Sequence, residues 1–248
     1  MAIAIVTGGN SGIGRAGAVA LAAKGFDVGI LWHAEEQRAR EAVAECEAHG
    51  VRAVARQADL EQVPGSDAVV DELADELGGI DALVNNAGAG FDAPFLELEL
   101  ETFKRTLDLD LVAPFLCAQR AARRMVRQGR GGRIVNVTSV HEHVPLPAGA
   151  PYVTAKHGLG GLTKQMAFEL GEHGILVNAV APGEIATRMT DQEDEDPRGN
   201  ERPVPVGRPG DAREVGALIA FLCSPEMGYV TGQSYVIDGG MLLTTAQT

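Results

Sequence analysis

Residues 2–14 read AIAIVTGGNSGIG. The run from Ala2 to Thr7 is short, apolar and stopped by glycine, which predicts a buried strand. The stretch Thr7-Gly8-Gly9-Asn10-Ser11-Gly12-Ile13-Gly14 then predicts a turn into a helix beginning near Arg15. Glycines in that turn let the backbone approach a pyrophosphate closely. The helix start adds free N–H groups and the positive end of the helix dipole. A glycine turn alone is only moderately specific; its place directly after the first strand gives it weight.

Working outward, six more β-rich runs follow: DVGILW (27–32), VRAVARQ (51–57), DALVNN (81–86), GRIVNVT (132–138), ILVNAV (175–180) and SYVID (234–238). Longer helix-like stretches separate them. Strands alternating with helices predict an α/β fold, a Rossmann-type doubly wound seven-stranded parallel sheet with helices on both faces. Because the runs lack strict alternation, they suit strands covered on both sides. At 248 residues, and with no repeat or low-complexity linker, residues 1–248 are expected to form a single domain.

Composition removes several classes. The formal net charge of -13 would repel the phosphates of nucleic acid, so no nucleic-acid partner is expected. No apolar run approaches the roughly 18 residues of a membrane span. The opening MAIAIVTGG reads as a strand rather than a signal peptide, and a cytoplasmic location is expected. Cys46, Cys117 and Cys223 are widely spaced, which predicts three reduced, half-buried thiols rather than disulfides or a zinc cluster.

The second strand should end on the residue that reads the adenine ribose. An acid there would bond the 2'-hydroxyl and reject a 2'-phosphate, but this chain has Trp32 and His33. Glu35 and Glu36 come slightly later, where acids of a helix's first turn are the ordinary reading. Arg38 and Arg40 are read as a solvated face. The missing acid favours NADP(H) over NAD(H).

Tyr152 and Lys156 are four apart at the start of an apolar-periodic run, so a helix places them on one face. A phenol is a poor acid near neutrality, and an adjacent ammonium favours its ionised form. Such a tyrosine becomes a usable proton donor and acceptor. Ser139 closes the fifth strand, at the end of the sheet where ligands of open α/β folds bind. Serine, tyrosine and lysine converging on one point are what a carbonyl oxygen gaining a proton needs.

Asp59-Leu60 after the third strand, Asn85-Asn86-Ala87-Gly88 after the fourth, Ser139, YVTAK, PGEIAT and the final DGG occur in order. With TGGNSGIG, this set resembles the compact single-domain branch of the short-chain dehydrogenase/reductase family, from Ile5 to Gly240. The resemblance implies that Gly8, Asn10, Ser11, Gly12, Ile13 and Gly14 hold the cofactor. It further implies that Asp59, beside Leu60, contacts the adenine amino group, and that Asn85, Asn86, Ala87 and Gly88 lie beneath the cofactor. Tyr152 would be the general acid/base. Lys156 would hold the nicotinamide ribose, and Ser139 would position the substrate oxygen. Pro182, Gly183, Ile185 and Thr187 would orient the nicotinamide, with Ile185 and Thr187 meeting its carboxamide. Helices over about 102–127 and 152–173 would pair across a dimer interface. The end of the chain, with Leu242 and Leu243, would help build a homotetramer.

Asp110 departs from the pattern, because the family usually has asparagine there, thought to anchor a water that links the lysine to solvent. The added negative charge would offset the lysine's effect and raise the working pKa of Tyr152; a kinetically silent near-isostere is the alternative. His141-Glu142-His143 lacks a third ligand, so no metal is expected. His141 and His143 are read as substrate contacts, since the segment leaves strand five beside Ser139. The Ser-Val-His-Glu stretch is similar to glucose dehydrogenases of the same family, and a polar loop bonded to its own backbone is the competing reading. The acidic, proline-rich stretch at about 188–209 predicts a substrate lid.

The expected activity is NADPH-dependent reduction of a small-molecule ketone or aldehyde to an alcohol, with Tyr152 as general acid/base. An NAD-dependent sugar or polyol dehydrogenase is the alternative. A non-catalytic cofactor sensor would be expected to have lost Tyr152 or Lys156, and both are present.

Overall fold

The computed structural model describes residues 2–91, 93–190, 192, 197–199 and 201–244. Seven parallel strands form the central sheet: β1 (Ala2–Thr7), β2 (Phe26–Trp32), β3 (Ala53–Gln57), β4 (Ala82–Asn85), β5 (Gly132–Val137), β6 (Ile175–Pro182) and β9 (Ser234–Ile237). Their order is β3-β2-β1-β4-β5-β6-β9. The chain builds outward from β1 to β3 and then returns to the other side of β1, so the connection reverses between β1 and β4. At such a reversal the helices diverge and leave a crevice at the carboxyl ends of the strands.

The inner strands β1, β2, β4, β5 and β6 are buried through one face against α1 (Gly12–Ala23), α2 (Glu36–Glu47) and α7 (Ala212–Leu222), and through the other against α3 (Val69–Leu77), α5 (Ala113–Gln128) and α6 (Ala150–Leu170), while the edge strands β3 and β9 are partly exposed. Ile5, Leu83 and Ile134 are fully buried on the second side. Burying one such side chain contributes about 1.5–3 kcal/mol. This two-sided burial accounts for continuous apolar runs without alternation.

Several boundaries differ from expectation. Helix α1 begins at Gly12, not near Arg15, so Gly12 and Ile13 belong to its first turn. The long helix expected over 102–127 is interrupted: α4 (Leu100–Leu107) and α5 are joined by a wide, π-type turn, Asp108–Val112. The cysteines are fully buried rather than half-buried.

A small pair not foreseen from the sequence, β7 (Ile185–Ala186) with β8 (Gly210–Asp211), closes the base of the stretch expected as a lid. Short 3-10 turns at Arg188–Thr190 and Pro197–Gly199 lie within that stretch. Its acids Asp191, Glu193, Asp194, Glu195 and Asp196 fall outside the described residues. A last short helix, α8 (Met241–Thr244), follows β9. No helix among the described residues is long and apolar enough to cross a membrane.

Candidate active site

The crevice between β1 and β4 opens as a cleft of about 340 Å³. The turn after β1 contributes Gly8, Asn10, Ser11, Gly12 and Ile13 to it. The ends of β2 and β3 contribute His33, Asp59 and Leu60, and the segment after β4 contributes Asn86, Ala87 and Gly88. A narrower compartment of about 100 Å³ adjoins it and shares Ile13, Asn86, Gly88, Thr187 and Met189 with it. Ser139, Tyr152, Lys156, Pro182, Gly183 and Ile185 complete this second wall.

The turn is built for this place. Asn86 Nδ2 donates to the carbonyls of Thr7 (3.0 Å) and Gly8 (3.3 Å), while the backbone N–H groups of Asn86 and Ala87 both donate to Thr7 Oγ1 at 2.9 Å. Asn10 Nδ2 donates to Ala34 O at 2.9 Å, tying the turn to the end of β2. A Cβ on Gly14 would lie 2.1 Å from Gly8 O, so only glycine allows the helix to approach this closely. Gly14 therefore shapes the turn and does not line the cleft.

These residues fit a dinucleotide. Ser11 makes no side-chain cap to α1, and the first turn of α1 contains no acid. The helix start thus presents N–H groups and a dipole with no side-chain carboxylate to neutralise them.

At the far end, His33 Nε2 lies 3.9 Å from Asp59 Oδ2. Trp32, expected at the cofactor, is buried and does not line the cleft; the strand alternation that turns His33 outward turns Trp32 in. Asn85 is likewise buried away from the cleft, donating to Pro114 O (3.1 Å) and Asn136 Oδ1 (2.9 Å).

Glu35 is the residue that the sequence reading missed. It lines the cleft in a left-handed conformation (φ 66°), with its carboxylate accepting from Arg188 at 2.5 Å and lying 3.5 Å from Arg38 Nε. Its position three residues past β2 was the available signal, but the same position suits an ordinary first-turn acid.

Tyr152 and Lys156 project from α6 one turn apart, with Lys156 Nζ 5.3 Å from the centre of the Tyr152 ring. Lys156 is buried, and its nearest carboxylate is Asp110, Nζ to Oδ1 3.3 Å. Burial works against the ammonium, but Asp110, together with Tyr152, outweighs it, so the lysine is held above its ordinary value and stays charged. Burial pushes the Asp110 carboxyl up, with Lys156 pulling the other way. Ala89 N–H also donates to Oδ1 at 3.3 Å, and Oδ2 has no protein partner among the described residues.

Ser139 lies just beyond β5, and its Oγ accepts from His141 N at 3.1 Å. That leaves the hydroxyl proton available to an oxygen in the narrow compartment. Of the two expected substrate contacts, His141 stands beside Tyr152, ring centres 6.4 Å apart. His143 does not approach it; its Nε2 faces Ser234 Oγ at 3.4 Å, beside β9. Glu184, in the segment before Ile185, accepts from Gln192 (2.8 Å) and Arg202 (2.6 Å) of the expected lid. Among the described residues no group of three potential ligands is placed to hold a metal.

Comparison with known proteins places this geometry in context. A family model described as enoyl-(acyl carrier protein) reductase, adh_short_C2, matches residues 8–242. The chain is 49% identical over 246 residues to the oxidoreductase YohF of Escherichia coli (strain K12), covering 99% of this chain and 97% of that one. Among solved structures it is similar to acetoin dehydrogenase from Enterobacter cloacae, with 50% identity and a TM-score of 0.95, covering 100% of this chain and 98% of the other. It is also similar to acetoin dehydrogenase YohF from Salmonella typhimurium, with 50% identity and a TM-score of 0.93, covering 98% and 96% of the two chains.

Proposed function

Because this chain belongs to the short-chain dehydrogenase/reductase family and is an NAD(P)-dependent oxidoreductase of CH–OH and keto groups, we propose that it reduces a small ketone to the secondary alcohol with NADPH preferred. The observation that carries this reading is the convergence of Ser139, Tyr152 and Lys156 on one narrow compartment that opens into the cleft beside the glycine turn.

A bound nicotinamide supplies the hydride chemistry. The turn after β1, with the start of α1, holds the pyrophosphate, and Asp59 meets the adenine. Pro182, Gly183, Ile185 and Thr187 orient the nicotinamide end. Ser139 donates its hydroxyl proton in a hydrogen bond to the substrate oxygen. Tyr152 gives that oxygen a proton in reduction and takes it back in oxidation. Lys156, kept charged by Asp110, stabilises the phenolate left behind.

Replacing Tyr152 by Phe tests the assignment. Turnover should fall by about 10²-fold or more, the scale of a general acid, while cofactor binding persists; retained turnover removes the role. Acetoin, for which two of the similar enzymes are named, is the first substrate to assay.

The preference for NADPH rests on the absence of an acid at the end of β2 and on two guanidinium groups, Arg188 and Arg38, beside Glu35. Glu35 itself favours the second reading, an NAD-linked dehydrogenase, because its carboxylate lines the cleft near where the ribose would lie. Parallel melting curves with saturating NADPH and NADH separate the two, since the cofactor bound more tightly by the native state gives the larger shift.

We also infer a dimer or tetramer. The groove between α5 and α6 is lined by Phe115, Val126 and Met166, with Phe115 and Val126 each 40% exposed, a surface suited to a second copy. Light scattering on the eluting protein checks the state.

A further inference from the structure

The segment after β6 carries one charged residue that the reaction compartment does not use directly. Ile185 and Thr187, with Met189 and Thr190 beyond them, line that compartment, and Glu184 stands outside its wall. The Glu184 carboxylate turns to later parts of the chain instead. Its Oε1 accepts from Gln192 Nε2 at 2.8 Å and from Arg202 Nε at 2.6 Å, while its backbone carbonyl accepts from Gly210 N at 2.9 Å. Burial pushes this carboxyl up, but Arg202 and Gln192 outweigh it and hold it below the ordinary value, so it is charged at neutral pH.

Between Glu184 and Gln192 the chain is bonded to itself. Thr190 Oγ1 donates to Ile185 O at 2.8 Å and accepts from Thr187 N at 3.1 Å, and Gln192 N donates to Thr187 O at 3.0 Å. The buried Gln192 side chain then closes this loop onto Glu184. Gly183 fixes the start of the loop: its N–H donates to Ile237 O of β9 at 3.0 Å, and a Cβ on it would lie 2.7 Å from Asp238 Cβ. Arg202 arrives from a second support just beyond β9. It closes a turn through its N–H to Gly207 O at 2.9 Å, and that turn is seated by Val206 N on Gly239 O at 3.0 Å and by Pro205, 2.7 Å from where a Cβ on Gly240 would lie. The pair of Glu184 and Arg202 is therefore a brace between two fixed points.

Resting on the function proposed above, we propose that Glu184 is a positioning residue for hydride transfer. Through Gln192 and Arg202 it fixes where Thr187, Met189 and Thr190 close on the reaction compartment, and so sets the wall against which a nicotinamide rests. The grip on the dinucleotide lies elsewhere, at the glycine turn and around Asp59 in the larger cleft. Rate depends steeply on the alignment of reacting atoms, so loss of the brace lowers turnover while binding persists.

The test uses Glu184→Gln, Arg202→Gln and the double variant, each with a melting curve to show that it folds. With acetoin and NADPH, kcat of each single variant should fall about tenfold, the effect of a modest misalignment, while KM for NADPH stays within about twofold of native. The isotope effect on kcat from NADPH deuterated at the transferred position should rise, because the hydride step becomes slower relative to product release. A second measurement needs no turnover: NADPH titrated into each variant should bind with the native Kd and show weaker nicotinamide emission at saturation. The double variant should match the worse single variant within about twofold, since both substitutions remove one brace; should it not fold, the single variants decide. A loss of NADPH affinity as large as the loss of kcat, an unmoved emission, or losses that multiply in the double variant overturn the inference. If the native enzyme leaves acetoin unreduced, that counts against the substrate alone and the emission decides. If NADH proves the tighter cofactor it takes the place of NADPH in both measurements, and native protein that binds neither overturns the inference and the proposed function together.

Discussion

Lys156 Nζ and Asp110 Oδ1 are 3.3 Å apart, in a pair whose side chains are 5% and 0% exposed. Asp110 reaches the lysine from the wide turn between α4 and α5, a helix irregularity of the kind that re-aims a side chain at a functional site. The carboxylate keeps Lys156 charged, and it also cancels part of the field that Lys156 exerts on Tyr152. In Asp110→Asn the lysine loses the carboxylate that holds it above its ordinary value, but over the pH range where it stays protonated the positive field at Tyr152 is stronger, so the phenolate forms more easily. The ionisation limb of the kcat profile for alcohol oxidation should therefore move to lower pH. An unmoved limb would show that Asp110 only fills space.

Gly88 sets how closely the segment after β4 can pass over that pair. A Cβ there would lie 2.3 Å from Asp110 Oδ1 and 3.3 Å from Lys156 Nζ. Gly88→Ala should cost about 1–3 kcal/mol of stability, the usual range for overpacking, and lower kcat by displacing the pair. In an Asp110→Ala background the added penalty should shrink, because the clashing oxygen is gone. Chemical denaturation of the four proteins in the cycle measures this directly, and an undiminished penalty would locate the strain elsewhere.

The sheet was legible because its signal is local. Each strand of the large sheet is a short apolar run, and the ends of β1, β4, β5 and β6 fall within two residues of their sequence limits. The glycine turn, Ser139 and the Tyr152-Lys156 spacing were legible for the same reason. The choice between His141 and His143 was not, since it depends on Glu142 being held by Ser234, 92 residues away. Nor was the role of Glu35, which needs Arg188, 153 residues on, to reveal that its carboxylate faces the cleft. The break at Asp108–Val112 also escaped, because a single i→i+5 turn uses the same residue types as an α-helix and leaves no compositional signal of its own.

Acid stability should depend on the pairing of α3, and of the short turn Ser66–Ala68 before it, with α5. Burial pushes the carboxyls of Asp67 and Asp71 up, but Arg120 with the Gly65 N–H at Asp67, and Arg124 with Arg120 at Asp71, outweigh it and hold both below the ordinary value. A depressed carboxyl contributes stability above its unfolded value, near 4, and that contribution is lost as pH falls through the folded value. Arg120→Gln leaves the buried Asp67 without its guanidinium and should cost about 2–4 kcal/mol near pH 7. The deficit should narrow in urea titrations carried down through pH 4, and a deficit constant with pH would refute the pairing.

The three thiols make a test at the other end of the pH scale. Burial pushes Cys46, Cys117 and Cys223 up to about 12. Such groups contribute stability below the unfolded thiol value, about 8.5, and the contribution fades as pH rises toward the folded one. At pH 8 a disulfide reagent such as dithionitrobenzoate should react slowly with native protein and take up three equivalents in guanidinium. Rapid native labelling would mean that one of the helices carrying them opens readily.

Cofactor choice should turn on Glu35. Its left-handed backbone costs roughly 1–2 kcal/mol for a residue other than glycine, and local strain of that kind is held where a side chain has a task. The carboxylate sits 2.5 Å from Arg188 and 3.5 Å from Arg38, the cations that a 2'-phosphate would seek. Glu35→Gln removes the competing negative charge while keeping the side-chain shape. If NADPH is the natural cofactor and Glu35 only limits its grip, KM for NADPH should fall about fivefold and KM for NADH should stay within twofold, as expected for charge-assisted contacts at a half-exposed site. If the carboxylate instead binds the ribose hydroxyls, KM for NADH should rise about tenfold, and the NAD-linked reading takes over. Initial rates with each cofactor, at low and at 0.5 M salt as the rough screening limit, separate these outcomes, because only the phosphate contact weakens steeply with ionic strength.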